Sequence, residues 1–148
     1  MNTRRFLMMG GLMLAAAPAW AADKVHHVAL QISDDNPDKM DAVLNVAGNI
    51  SRYYSGIGQE VEIRIVAFNA GLNMLRTDRS PVLARLKSMS ESLPDVGFDA
   101  CGNTRENMAR KEGKKPDEIP IWDKAKVVPS GVITLIELNE KGWTILRP

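Results

Sequence analysis

The sequence predicts an α/β domain: a parallel sheet of five strands covered by helices on both faces. Three observations carry that prediction. Short apolar runs, several of them rich in β-branched residues, alternate with segments of helical period in the order β-α-β-α-β-α-β-α-β. Capping residues and prolines stand where helices should begin, and glycines stand where they should stop. No internal repeat or low-complexity segment interrupts the pattern.

Val25 to Ser33 reads as a mostly buried strand, and Asp34-Asp35-Asn36-Pro37 supplies capping residues with proline at a helix start. In the following helix Met40, Val43, Leu44, Ala47, Ile50 and Tyr54 recur at spacings of three and four, until Gly56 and Gly58 end it. Val61 to Phe68 is the second strand, leading into the small-residue loop Asn69-Ala70-Gly71 and a short helical turn at 72–75. A helix with Val82, Leu83, Leu86 and Met89 on one face closes at Leu93-Pro94.

Val96 to Ala100 is the third strand, followed by a helix from about Thr104 to Lys111 that stops at Gly113. Residues 114–124 read as a loop, and Lys126 to Val128 as a short strand. Val132 to Leu138 is apolar enough to be either element, but Ser130 as a cap, Glu137 and Glu140 on a polar side and Gly142 as a stop favour helix. Trp143 to Leu146 is the last strand.

The first 21 residues read differently. Arg4 and Arg5 precede an apolar segment from Phe6 to Ala17, and Ala19-Trp20-Ala21 is a small-x-small site, the pattern of a secretory signal peptide cleaved before Ala22. The paired arginines fit either a Sec or a twin-arginine signal, so the expected location is periplasmic or otherwise exported. Residues 22–148 then form one domain. Cleavage removes two arginines and no acidic residue, turning a formal charge of +1 into about −1. That balance predicts no nucleic-acid partner, and after residue 21 no apolar run is long enough to span a bilayer.

Cys101 is the sole cysteine, so no internal disulfide forms. It stands where the third strand runs into a helix, and helix N-termini favour the thiolate. The other reading is a small buried hydrophobe. In parallel sheets ligands and reactive groups gather at the carboxyl ends of the strands, here 31–35, 69–72, 101–104 and 129–131, and that edge placement favours the reactive reading.

The segment Phe98-Asp99-Ala100-Cys101-Gly102-Asn103-Thr104, the helix end Arg110-Lys111-Glu112-Gly113, Val127-Val128-Pro129-Ser130-Gly131-Val132 and Leu138-Asn139-Glu140-Lys141-Gly142-Trp143 together resemble the DsrE/DsrF-like family, in particular its exported single-domain members. The resemblance runs from about Val25 to Pro148. It implies a three-layer α/β/α domain with a five-stranded sheet, and a homo-oligomer, often trimeric or hexameric. It also implies that Cys101 accepts sulfur as a persulfide from a donor and passes it to an acceptor. The family's sulfur relays are cytoplasmic, whereas this chain reads as exported.

For such chemistry the N–H groups of Gly102, Asn103 and Thr104 are candidate anion donors, with Asn69 on the neighbouring loop. Gly102 also permits close backbone approach. Asn103 and Thr104 read more readily as helix caps than as substrate contacts, with Glu106 completing a capping box, and Arg105 reads as pointing into solvent. The alternative function is a non-catalytic small-molecule-binding or assembly module of the same fold.

Other thiol chemistries fit poorly. A cysteine-x5-arginine phosphatase loop needs arginine where Asn107 stands. A thiol protease needs a histidine base, and His26 and His27 begin the first strand, at the opposite end of the sheet. Adjacent strand residues face opposite ways, so these histidines do not share a metal. Ser33-Asp34-Asp35-Asn36 is acidic rather than glycine-rich, so no cofactor is expected. Trp122, in a proline-flanked loop, and the pair Tyr53-Tyr54 are candidate interface aromatics.

Overall fold

A computed structural model of the chain describes residues 24–148. The segment read as a signal peptide lies outside them. The described residues form one five-stranded parallel sheet in the order β4-β3-β2-β1-β5, built from β1 (His26–Ile32), β2 (Val61–Ala67), β3 (Val96–Cys101), β4 (Lys126–Val128) and β5 (Thr144–Leu146). The connecting helices are α1 (Pro37–Gly56), α2 (Leu83–Ser92), α3 (Gly102–Glu112) and α4 (Gly131–Glu140), with 3-10 segments at Asn69–Leu75 and Pro116–Glu118.

The order of strands dictates the layers. The steps from β1 to β4 run outward in one direction, so right-handed connections put α1, α2 and α3 on one face; α4 returns across the sheet to β5 and falls on the other. Packing follows. Val61, Ile63, Ile65 and Ala67 of β2 join Leu30, Phe98 and the buried stripe Met40, Val43, Leu44 and Ala47 of α1 in the larger core. The alternate residue Val66 packs with Ala29 and Leu135 beneath α4 in a smaller one. This is a three-layer α/β/α arrangement.

The caps act as the residue types dictate. Asn36 Oδ1 accepts the N–H of Asp38 at 2.8 Å, with Pro37 at the first helical position. Ser130 Oγ accepts the N–H of Ile133, and Gly113 and Gly142 take positive φ where α3 and α4 end.

Three expectations are corrected. β3 passes into α3 without a loop, so Cys101 itself occupies the cap position; Asn103 and Thr104 lie inside the first turn and cap nothing. Arg105 does not point into solvent: its guanidinium donates to the carbonyls of Asp117 and Ile119, tying the long loop to α3. Trp122 is 3% exposed and packs edge-on against Phe98 at 5.2 Å, so it is a core residue rather than an interface anchor. Tyr53, 63% exposed, remains outside the core, while Tyr54 stacks on His26 at 4.0 Å.

Candidate functional site

Neighbouring strands β3 and β4 send their chains to opposite faces, β3 into α3 and β4 into α4. Such a topological switch is where open α/β sheets form their ligand crevice. Cys101, the last residue of β3, stands at that point, paired in register with Val128. Strand alternation turns its side chain toward α4, away from the main core. There it sits beside Val66 and Phe68 under Gly131, the first residue of α4. The thiol is thus flanked by the starts of two helices, and it is 4% exposed.

The crevice is closed by backbone. A side chain on Gly102 would meet the Val128 carbonyl oxygen at 2.9 Å, and one on Gly71 would meet the Ile32 oxygen at 2.3 Å, so both glycines let loops pack directly on strand ends. The N–H of Asn103 donates to the Pro129 carbonyl at 3.1 Å. Thr104 Oγ1 accepts the N–H of Asn69 at 2.9 Å, and Asn69 takes a left-handed φ of 49°. Gly102, Asn103, Thr104 and Asn69 are therefore brought together with Cys101 at one edge. Two of their groups, the Asn103 N–H and the Thr104 hydroxyl, serve to lock the loops.

Below Cys101 on the same sheet face lies Asp99, fully buried, whose carboxylate pairs with Arg64. Gly97 makes room for that guanidinium: a Cβ there would stand 3.2 Å from Arg64 Cδ. Asp99 reads from the sequence only as a strand residue; its period-2 spacing from Cys101 and Gly97 is the signal that puts all three on one face.

The other face of the edge carries a cavity of about 520 Å³ between the 3-10 segment Asn69–Leu75 and α3. Asn69 and Thr104 line it, and Cys101 does not. Its floor is Arg76, fully buried. Arg76 donates from Nε and Nη2 to Asp78 at 2.9 and 2.8 Å, and from Nη1 and Nη2 to Glu112 at 2.6 and 3.3 Å. Arg79 and Lys114 also pair with Glu112. The bonds from Arg76, then Lys114, hold the Glu112 carboxyl down at about 2, and the same guanidinium lowers Asp78. The two carboxylates in turn raise Arg76 above its already high value. No local motif marks this network, since Arg76 and Glu112 are 36 residues apart.

His26 bonds Gln59 at 2.9 Å and stacks on Tyr54, while His27 lies near Glu62 and Trp143 on the opposite face. Among the described residues no cluster of three or more His, Cys, Asp or Glu is arranged to hold a metal ion, and no helix is long and apolar enough to cross a membrane.

No family model and no curated protein matches the chain. It is similar to a solved structure described as a protein of unknown function, MTH1491 from Methanobacterium thermoautotrophicum. The identity is 25% and the TM-score 0.68, over 83% of this chain and 99% of that one. The likeness supports the α/β fold.

Proposed function

We propose that this chain is an exported sulfur-handling protein of the DsrE/DsrF-like kind, in which Cys101 carries sulfur as a transient persulfide. The observation that carries the reading is the seat of Cys101 at the topological switch between β3 and β4, flanked by the starts of α3 and α4. Helix N-termini favour anions in general, and the two helix starts at this edge are what supports the sulfur reading.

The step is a sulfane transfer without net redox. The Cys101 thiolate attacks the terminal sulfur of a donor persulfide; the donor's S–S bond breaks, a new S–S bond forms at Cys101, and the donor leaves as a thiolate. An acceptor thiolate repeats the attack on the terminal sulfur and releases Cys101 as a thiolate. Because the thiol is buried, both steps require the first turn of α3 or α4 to open locally.

The assembly reading is that copies of the chain associate. The outer side of α4 supports it: Val132, Ile133 and Ile136 are about half exposed there, although the opposite side of the same helix already packs on the sheet. A second functional reading, a small-molecule-binding module, is favoured by the cavity beside α3, which excludes Cys101. Sulfur uptake from a polysulfide by the native chain, lost in Cys101→Ser, separates the two.

A further inference from the structure

We propose that the cavity between the 3-10 segment Asn69–Leu75 and α3 binds a small polyhydroxylated anion of the sugar phosphate or sugar acid class. The site is independent of the thiol, because Cys101 faces α4 on the other side of the sheet.

The size comes first. At about 520 Å³ the cavity has the volume of a metabolite site, and it lies at the carboxyl ends of β2 and β3, where parallel sheets place such sites. Beside its charged residues the lining offers neutral amide and hydroxyl groups: Asn69, Asn73, Asn107 and Thr104. Side-chain amides carry donor and acceptor groups, the complement of hydroxyls, although here Asn73 Nδ2 is engaged by Asp35 and Asn107 Oδ1 by Arg110.

One of these groups is unmatched. Asn73 Nδ2 donates to Asp35 at 2.9 Å, which fixes the orientation of the amide, and its Oδ1 is then buried without a partner. A buried acceptor left unpaired is costly, and Asn73 is one of the residues that line the cavity. Ala70 and Met108 add an apolar strip of the kind that the C–H face of a sugar ring covers.

The charge at the rim selects an anion. Arg76 is neutralised by Asp78 and Glu112, but Glu112 is shared with Arg79 and Lys114 as well. Lys111 lines the cavity and makes no ion pair among the described residues. Cations therefore outnumber carboxylates around the opening, and Lys111 and the half-exposed Arg79 are placed to receive an anionic head group.

The test is calorimetric titration of the purified chain with glucose 6-phosphate, gluconate, glucose and inorganic phosphate. At least one of the two sugar anions should bind saturably, with glucose and inorganic phosphate weaker by about tenfold or more. Comparison of glucose 6-phosphate with gluconate tells a phosphate from a carboxylate head. Lys111→Ala should weaken binding by about tenfold without moving the melting temperature, since Lys111 is exposed and unpaired. Cys101→Ser should bind as the native chain does, so failure of the sulfur reading leaves this result intact. The proposal is overturned if neither sugar anion binds up to about 5 mM, if inorganic phosphate binds as tightly, or if Lys111→Ala leaves the affinity unchanged.

Discussion

Gly131 stands so close over Cys101 that a Cβ built on the glycine would lie 3.3 Å from the cysteine's own Cβ. The same added carbon would be 3.1 Å from Phe68 Cβ and 3.3 Å from Val66 Cγ1. The absence of a side chain at the start of α4 is therefore what lets this helix terminus descend onto the thiol. Gly131→Ala should overpack the site by about 1–3 kcal/mol against a helix-propensity gain of about 0.5–1 kcal/mol, a net loss of about 0–2.5 kcal/mol centred near 1. Chemical denaturation measures it. Alkylation of Cys101 in the folded variant should also quicken, because the turn that covers it is displaced; unchanged stability and rate contradict the packing described.

The acid side of the stability profile should report the Arg76 network. Glu112 titrates near 4.5 when unperturbed and is held at about 2 in the fold, so its stabilisation is complete above about pH 4.5 and is withdrawn as pH falls toward 2. Asp78, also lowered by Arg76, acts in the same direction. Glu112→Gln should melt below the native chain at pH 7, and the gap between them should shrink as the pH drops from about 5 to 2. A gap independent of pH contradicts the assignment.

Much of the fold was legible because local signals agreed. Val61–Ala67 is rich in β-branched residues, Asn36-Pro37 and Ser130-Gly131 start helices, and Gly113 and Gly142 end them, all as their chemistry dictates. What escaped was set by partners distant in sequence. Trp122 is buried because the loop after α3 folds back over Phe98, and Arg105 holds that loop through its carbonyls. Thr104 became a partner of Asn69 rather than a cap because β3 enters α3 directly. The Cys101 edge of the site was legible from strand order; the cavity around Arg76 was not, since nothing local distinguishes a buried arginine from a solvated one.

Self-association should run through α4. Light scattering of the native chain at micromolar concentration should give a mass above that of one chain, and Ile133→Glu with Ile136→Glu should return it to the monomer without loss of helicity, both residues being about half exposed. A monomeric mass for the native chain contradicts the assembly reading.

Export should leave a defined end. Protein recovered from the cell envelope should begin at Ala22, because Ala19 and Ala21 are the small residues that signal cleavage requires. N-terminal sequencing decides it, and recovery of the uncleaved chain from the cytoplasm alone contradicts it.

The sulfur reading is tested most directly by following one labelled sulfur atom. The folded chain is treated with a labelled polysulfide, freed of excess reagent, and offered a small-molecule thiol acceptor, with intact-mass measurement at each stage. Cys101 is the only thiol in the chain, so the native protein should gain sulfur there and pass the label on, while Cys101→Ser should gain none. A folded native chain that takes up no sulfur, and whose thiol is alkylated only after unfolding, contradicts the persulfide-carrier account and leaves Cys101 as a packing residue beneath α4.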